Sequence, residues 1–173
     1  MQLIGGDTTH GPVTVITLQA HGFVPPGLAL RRDGAKPGDS VYVTGTLGDA
    51  GLALATAFGK APFTADHHDY LQTRLERPEP RLTEGMTLRT IASAAIDISD
   101  GLAQDLIHIL ERSGVGARLG VERLPLSPAL SACLDCEIAR VTALSGGDDY
   151  ELCFTVPPNQ TAQLETVAAM WAC

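Results

Sequence analysis

The apolar positions of this chain change period along its length, and each change marks an element. Val13-Thr14-Val15-Ile16-Thr17-Leu18-Gln19-Ala20 is β-branched and partly alternating, which predicts a strand ending near Gly22. Val24-Pro25-Pro26-Gly27 breaks regular structure, and Gly34-Ala35-Lys36-Pro37-Gly38-Asp39 predicts a turn before a second short strand, Ser40 to Thr44. A domain boundary is expected between these two breakers, dividing the chain into 1–33 and 34–173. Gly45 to Ala50 then opens an Ala- and Leu-rich helix running to Phe58. Arg77-Pro78-Glu79-Pro80-Arg81 reads as a rigid elbow, because each proline restricts the residue before it. Leu82 to Ala95 resumes as a helix.

Ala94 to Ile98 is a short apolar run around Asp97. Ser99 is a good N-cap for a helix reaching Ser113, which Gly114 ends. Leu102, Leu106, Ile109 and Leu110 recur at helical spacing, so that face is expected to meet a core. A strand pattern around Val121, a turn at Pro125 and Pro128, a helix from Leu130 to Ala143, a strand from Tyr150 to Val156 and a helix from Gln160 to Cys173 complete the chain. Runs of both kinds in this order predict an α+β fold, a mixed sheet with helices packed on it.

Composition narrows the function classes. Twelve Lys and Arg against twenty Asp and Glu give a net charge of -8 over 173 residues, which argues against nucleic acid or an anionic membrane as partner. An acidic chain that handles phosphates needs cations to help it. The four cysteines, Cys133, Cys136, Cys153 and Cys173, form no dense framework, and Met1 to Gly6 lack a basic region followed by an apolar one. The cytosol is the expected compartment. Cys133-Leu134-Asp135-Cys136 has metal or redox spacing without a second pair, so these cysteines read as incidental. Asp66-His67-His68-Asp69 offers ligand types, but adjacent residues on a helix point about 100° apart, which favours a solvated loop or helix start.

The chemistry concentrates in Ile96-Asp97-Ile98-Ser99-Asp100-Gly101-Leu102, two carboxylates and a hydroxyl at a strand-to-helix junction. Asp100 is expected in the first helical turn, where the dipole favours an anion, either a carboxylate or a ligand phosphate. Helix capping accounts for Ser99 and Asp100 as well as a metal site does. It does not account for Asp97, which would be costly to bury in an apolar strand without a cation or hydrogen bonds. Gly5-Gly6-Asp7 and Gly146-Gly147-Asp148-Asp149 are two more glycine turns with hard oxygen donors suited to Mg²⁺, although singly such turns are more often Asx turns. Arg32 is the choice for a phosphate contact, Arg31 beside it an equal candidate, and a surface role is open to both.

These segments, with Ala35-Lys36-Pro37-Gly38-Asp39, Val43-Thr44-Gly45-Thr46-Leu47-Gly48 and Ser145-Gly146-Gly147-Asp148-Asp149-Tyr150-Glu151-Leu152, closely resemble the thiamine-monophosphate kinase family, within the superfamily of aminoimidazole ribonucleotide synthetase. The resemblance implies that superfamily's C-terminal domain plus a remnant strand of its N-terminal, ATP-binding domain. It implies transfer of the ATP γ-phosphoryl to thiamine phosphate, with Mg²⁺ and no covalent intermediate, by a cytoplasmic homodimer. Carried over by motif, Asp7, Asp97 and Asp100 would hold Mg²⁺. Gly6, Asp7, Arg32 and Ser99 would touch ATP, and Asp148 the thiamine phosphate. Two positions depart from the family pattern: Asp148 stands where Glu is usual, and His10 where Arg follows the threonines. Family members run to roughly twice this length, so the chain by itself is expected to have little activity. Another ATP-dependent synthetase of the superfamily, and a non-catalytic module that binds nucleotide or a partner, are the alternatives.

Overall fold

The computed structural model describes residues 2–61, 65–133 and 137–171. Among these residues three strands form a sheet: β1 (Ser40–Val43), β2 (Ala94–Ile98) and β3 (Glu151–Val156). The spatial order is β1-β3-β2, so the last strand in sequence lies in the middle. Both pairings are antiparallel, with Val43 opposite Cys153 and Ile96 also opposite Cys153, where a mixed sheet was expected. Among the described residues seven α-helices pack around it: α1 (Asp49–Ala57), α2 (His68–Glu76), α3 (Leu82–Leu88), α4 (Leu102–Ser113), α5 (Pro128–Ala132), α6 (Glu137–Ser145) and α7 (Thr161–Ala168). The expected α+β fold is the fold observed.

Alternation along β3 sends its side chains to two different cores. Cys153 joins Ile96, Ile98 and the predicted α4 stripe, in which Leu102, Leu106 and Ile109 are buried and Leu110 packs against them. Phe154 and Val156 face the other way, onto Leu88 and Ile91 at the end of α3 and Leu164 of α7. A third cluster joins α1, α2, α5 and α6 through Leu52, Leu71, Leu130 and Ala143. At the core end of β3, burial pushes the Cys153 thiol up to about 12, as expected of a packing cysteine and not a reactive one.

Four sequence expectations are corrected. Residues 13–20 form no strand; residues 2–29 are exposed throughout, and a strand without a neighbour has nothing to bond its backbone. The helix predicted from Leu82 to Ala95 stops at Leu88, since Ala94 and Ala95 are paired with Thr155 and Phe154 of β3. Pairing across the sheet overrides their helix propensity. Val121–Arg123 is a single 3-10 turn, closed by the Arg123 N–H on the Gly120 carbonyl, not a strand. Helix α4 begins at Leu102, and Ser99 does not cap it. Asp66 to Asp69 fall on a 3-10 turn and the start of α2, as read. Residues 134–136, inside the Cys133–Cys136 motif and the predicted helix from Leu130, lie outside the described residues, as do 172 and 173.

Glu151, the first residue of β3, is completely buried, and four bonds from three places reach it. Arg81 grips it with two, Nε to Oε2 and Nη2 to Oε1, both at 2.7 Å. Arg74 of α2 donates to Oε1 at 2.9 Å, and the Thr44 hydroxyl to Oε2 at 2.6 Å. A bidentate guanidinium is the geometry that best compensates a carboxylate taken out of water. Deleting one partner leaves an uncompensated buried charge. Arg81→Leu is therefore expected to lower the unfolding free energy by about 3–5 kcal/mol, read from urea denaturation; a change within about 0.5 kcal/mol, the usual size of a surface substitution, would contradict it.

Candidate functional site

Two loops meet where β2 ends and β3 begins. In the antiparallel register Ile98 faces Glu151, so the segments just beyond them, 99–101 and 147–150, lie side by side. The Asp148 N–H bonds the Ser99 carbonyl at 3.0 Å, and the Tyr150 N–H bonds the Ile98 carbonyl at 2.9 Å. Glycine makes this approach feasible: a Cβ on Gly147 would sit 2.5 Å from the Ser99 carbonyl oxygen, and one on Gly101, at φ 111°, would sit 2.8 Å from the Ser145 carbonyl carbon. Asp148 and Tyr150 themselves hold left-handed backbones at φ 67° and 51°, conformations that cost free energy and that the surrounding bonds must maintain.

The structure thus places Asp97, Ser99, Asp100 and Asp148 at one end of the sheet. Asp97 is exposed although Ile96 and Ile98 beside it are buried, so the burial cost inferred from the sequence does not arise. Asp100 is exposed too, and among the described residues neither carboxylate makes a hydrogen bond or ion pair. The anion at the start of α4 is not Asp100 and need not be a phosphate. It is Asp105: its buried Oδ2 accepts from the backbone N–H groups of Ser99, Asp100 and Gly101 at 3.0, 3.0 and 3.1 Å. The sequence reading missed this residue, although an acid one turn into a helix that follows Ser-Asp-Gly is a readable signal.

Asp7 and Gly6 are not brought to this end. Both are on the exposed segment, and among the described residues the one bond of the Asp7 carboxylate is an Asx-type contact from the Thr8 N–H at 2.7 Å. Among the described residues no three His, Cys, Asp or Glu side chains gather as a metal cluster, so Asp7, Asp97 and Asp100 do not converge. Arg32 is also apart. Its carbonyl accepts from the Ser113 hydroxyl at the far end of α4, about 18 Å of helix from Gly101. Arg31 is engaged in an ion pair with Asp33, whereas the Arg32 guanidinium has no partner among the described residues. A cavity of about 590 Å³ lies elsewhere, between β1 and residues 115–120.

Behind the loops, Asp149 secures the start of α1. Its Oδ2 accepts the Gly48 N–H at 2.7 Å, and Oδ1 the Ala50 N–H at 3.5 Å. Burial pushes its carboxyl up to about 7, with Asp49 adding a smaller push, against the Gly48 and Ala50 N–H groups and Arg74, which favour the charged form. An acid with a folded-state value above its ordinary one binds its proton more tightly when folded. Its contribution to stability is therefore greatest in acid and declines as pH rises toward 7. Relative to Asp149→Asn, the native chain is expected to lose on the order of 4 kcal/mol of unfolding free energy between about pH 4 and pH 7.5. Urea titrations of both proteins at the two pH values check this, and parallel pH profiles would refute it.

Compared with known proteins, residues 36–172 match the family model of the AIR synthase related protein, C-terminal domain. The chain is similar to the thiamine-monophosphate kinase of Salmonella typhimurium, 55% identical over 159 residues, which cover 91% of this chain and 48% of that protein. It is similar to the crystal structure of thiamine-monophosphate kinase from Stenotrophomonas maltophilia, at 46% identity and a TM-score of 0.79 over 85% of this chain and 48% of that one. It is also similar to AaThiL complexed with AMPPCP and TMP, at 38% identity and a TM-score of 0.67 over 76% of this chain and 43% of that one. The chain spans about half the length of the curated relatives it matches. With the paired loops, the three-stranded sheet and all but the first 35 of its residues falling in or beside that model, the chain belongs to the AIR synthase related protein, C-terminal domain family.

Proposed function

We propose that this chain is part of a thiamine-monophosphate kinase, which moves the γ-phosphoryl of ATP onto thiamine phosphate to give thiamine diphosphate. The observation that carries this reading is the meeting of segments 99–101 and 147–150 at the end of β2, where Asp97 and Asp100 have no partner among the described residues. The 55% identity to a kinase of that name supports it.

Asp97 and Asp100 fit Mg²⁺. They are exposed hard oxygen donors, and this ion is commonly held by one or two carboxylates together with substrate phosphates and water. When bound, Mg²⁺ would neutralise phosphate charge. In this reading Asp7, which stands apart from Asp97 and Asp100 in this structure, joins the ligand set from the N-terminal segment, and residues 1–33 belong with the ATP-binding domain. Ser99, Gly6, Asp7 and Arg32 contact ATP. Without a partner among the described residues, the Arg32 guanidinium is favoured over Arg31, although the Arg32 backbone lies at the far end of α4 from the other residues. Asp148 faces thiamine phosphate. Donor and acceptor are both anions, so the task of these residues is to hold the two in line, and none serves as a covalent nucleophile. The parent enzyme is a cytoplasmic homodimer in this reading.

The test uses the protein at the full length of its relatives. Mg²⁺-dependent formation of thiamine diphosphate is expected, and Asp97→Asn and Asp100→Asn should each lower kcat/KM by at least about a hundredfold, the scale of a lost charge-stabilising contact. The 173-residue chain alone is expected to show little turnover. Full activity in both variants would remove these residues from the reaction, and absence of the product from the full-length protein would end the reading.

A further inference from the structure

Asp105 is 3% exposed, and one of its oxygens receives three successive backbone N–H groups. Convergent amides of this kind form an anion-binding nest, at the positive end of a helix dipole. Here the nest is filled from within. Gly101 precedes α4 and supplies no side-chain cap, so Asp105 does that work from inside the helix. In the peptide that joins Ser99 to Asp100, whose N–H goes to Asp105, the Ser99 carbonyl accepts the Asp148 N–H. The backbone of Ser99 is therefore held on both sides, by Asp105 through its N–H and by the 147–150 loop through its carbonyl.

From this geometry we infer that Asp105 is a positioning residue for phosphoryl transfer. It fixes the backbone that presents Ser99 and Asp100, and it closes the helix start to phosphate, so that phosphate charge must be met by a cation at Asp97 and Asp100. This inference rests on the kinase reading above. Asn at this position keeps the size and one acceptor oxygen but not the charge. Hydrogen bonds to a neutral acceptor are roughly half as strong as those to a carboxylate, so the loop loosens while the fold persists.

The experiment compares the full-length protein with its Asp105→Asn variant. Amide hydrogen exchange without metal or nucleotide should be faster at Ser99, Asp100 and Gly101 in the variant. The Mg²⁺ concentration for half-maximal turnover should rise by about 10- to 100-fold, the usual effect of losing a residue that orients metal ligands. The KM for thiamine phosphate should stay within about threefold, because Asp149 and the Tyr150 N–H brace the acceptor loop independently. A lowered melting temperature with an unchanged Mg²⁺ requirement would reduce Asp105 to a structural cap and overturn the inference, as would unchanged exchange. Should the Asn variant not fold, Asp105→Glu keeps the charge and displaces it by one methylene. Both readouts should then move the same way by a smaller factor, and wild-type values in both would overturn the inference. If the full-length protein makes no thiamine diphosphate, the kinase reading fails. The Mg²⁺ midpoint is then taken from calorimetric titration of Mg²⁺ in the presence of ATP, and an equal midpoint in protein and variant overturns the positioning role on that route too.

Discussion

Glu151 is a charge with no access to water, and the chain converges on it. Thr44 comes from the end of β1, Arg74 from α2, and Arg81 from the elbow before α3. The Thr44 hydroxyl also accepts the Leu152 N–H, and its own N–H reaches the Leu152 carbonyl, so side chain and backbone bind the same two strands at one point. A buried carboxylate tolerates few arrangements, because its two oxygens must be satisfied together for its desolvation to be offset. That requirement fixes where β3 starts. The residues immediately before it, Asp148 to Tyr150, have no freedom to drift along the strand.

The same end of the sheet separates structural from available carboxylates. Glu151, Asp149, Asp105 and Asp49 are buried and bonded. Asp97 and Asp100 are exposed and unpartnered among the described residues. The buried acids have arginines, hydroxyls or amides as partners, whereas Asp97 and Asp100 present their carboxylates to solvent from a backbone the others hold still. Without such support, two like charges three residues apart would tend to push their loop open.

Much of this was readable in the sequence, and the failures share one cause. The strands at Ser40 and Glu151, the α4 stripe and the turn at residues 36–39 follow from local period and from Gly and Pro chemistry. So does the junction at residues 97–101. What sequence could not supply was partnership across space. The β-branched run from Val13 has strand propensity but pairs with nothing among the described residues. Ala94 and Ala95 favour helix by type yet pair with β3. Ser99 has the chemistry of a cap, but the Gly101 N–H that its hydroxyl would accept is already taken by Asp105. The exposure of Asp97 in an otherwise buried strand likewise depends on where β2 stops, which a hydrophobic pattern does not specify.

The left-handed backbone at Asp148 gives a reason for the residue found there. Non-glycine residues incur roughly 1–2 kcal/mol in this region, and Asp is among those that enter it most readily, because its short polar side chain bonds locally. A Glu at the same φ of 67° would carry its carboxylate one methylene further at a higher backbone cost. Reach of the carboxylate and ease of the turn thus pull against each other at this position, and Asp148 favours the turn. A carboxylate delivered this way stays close to the loop that carries it.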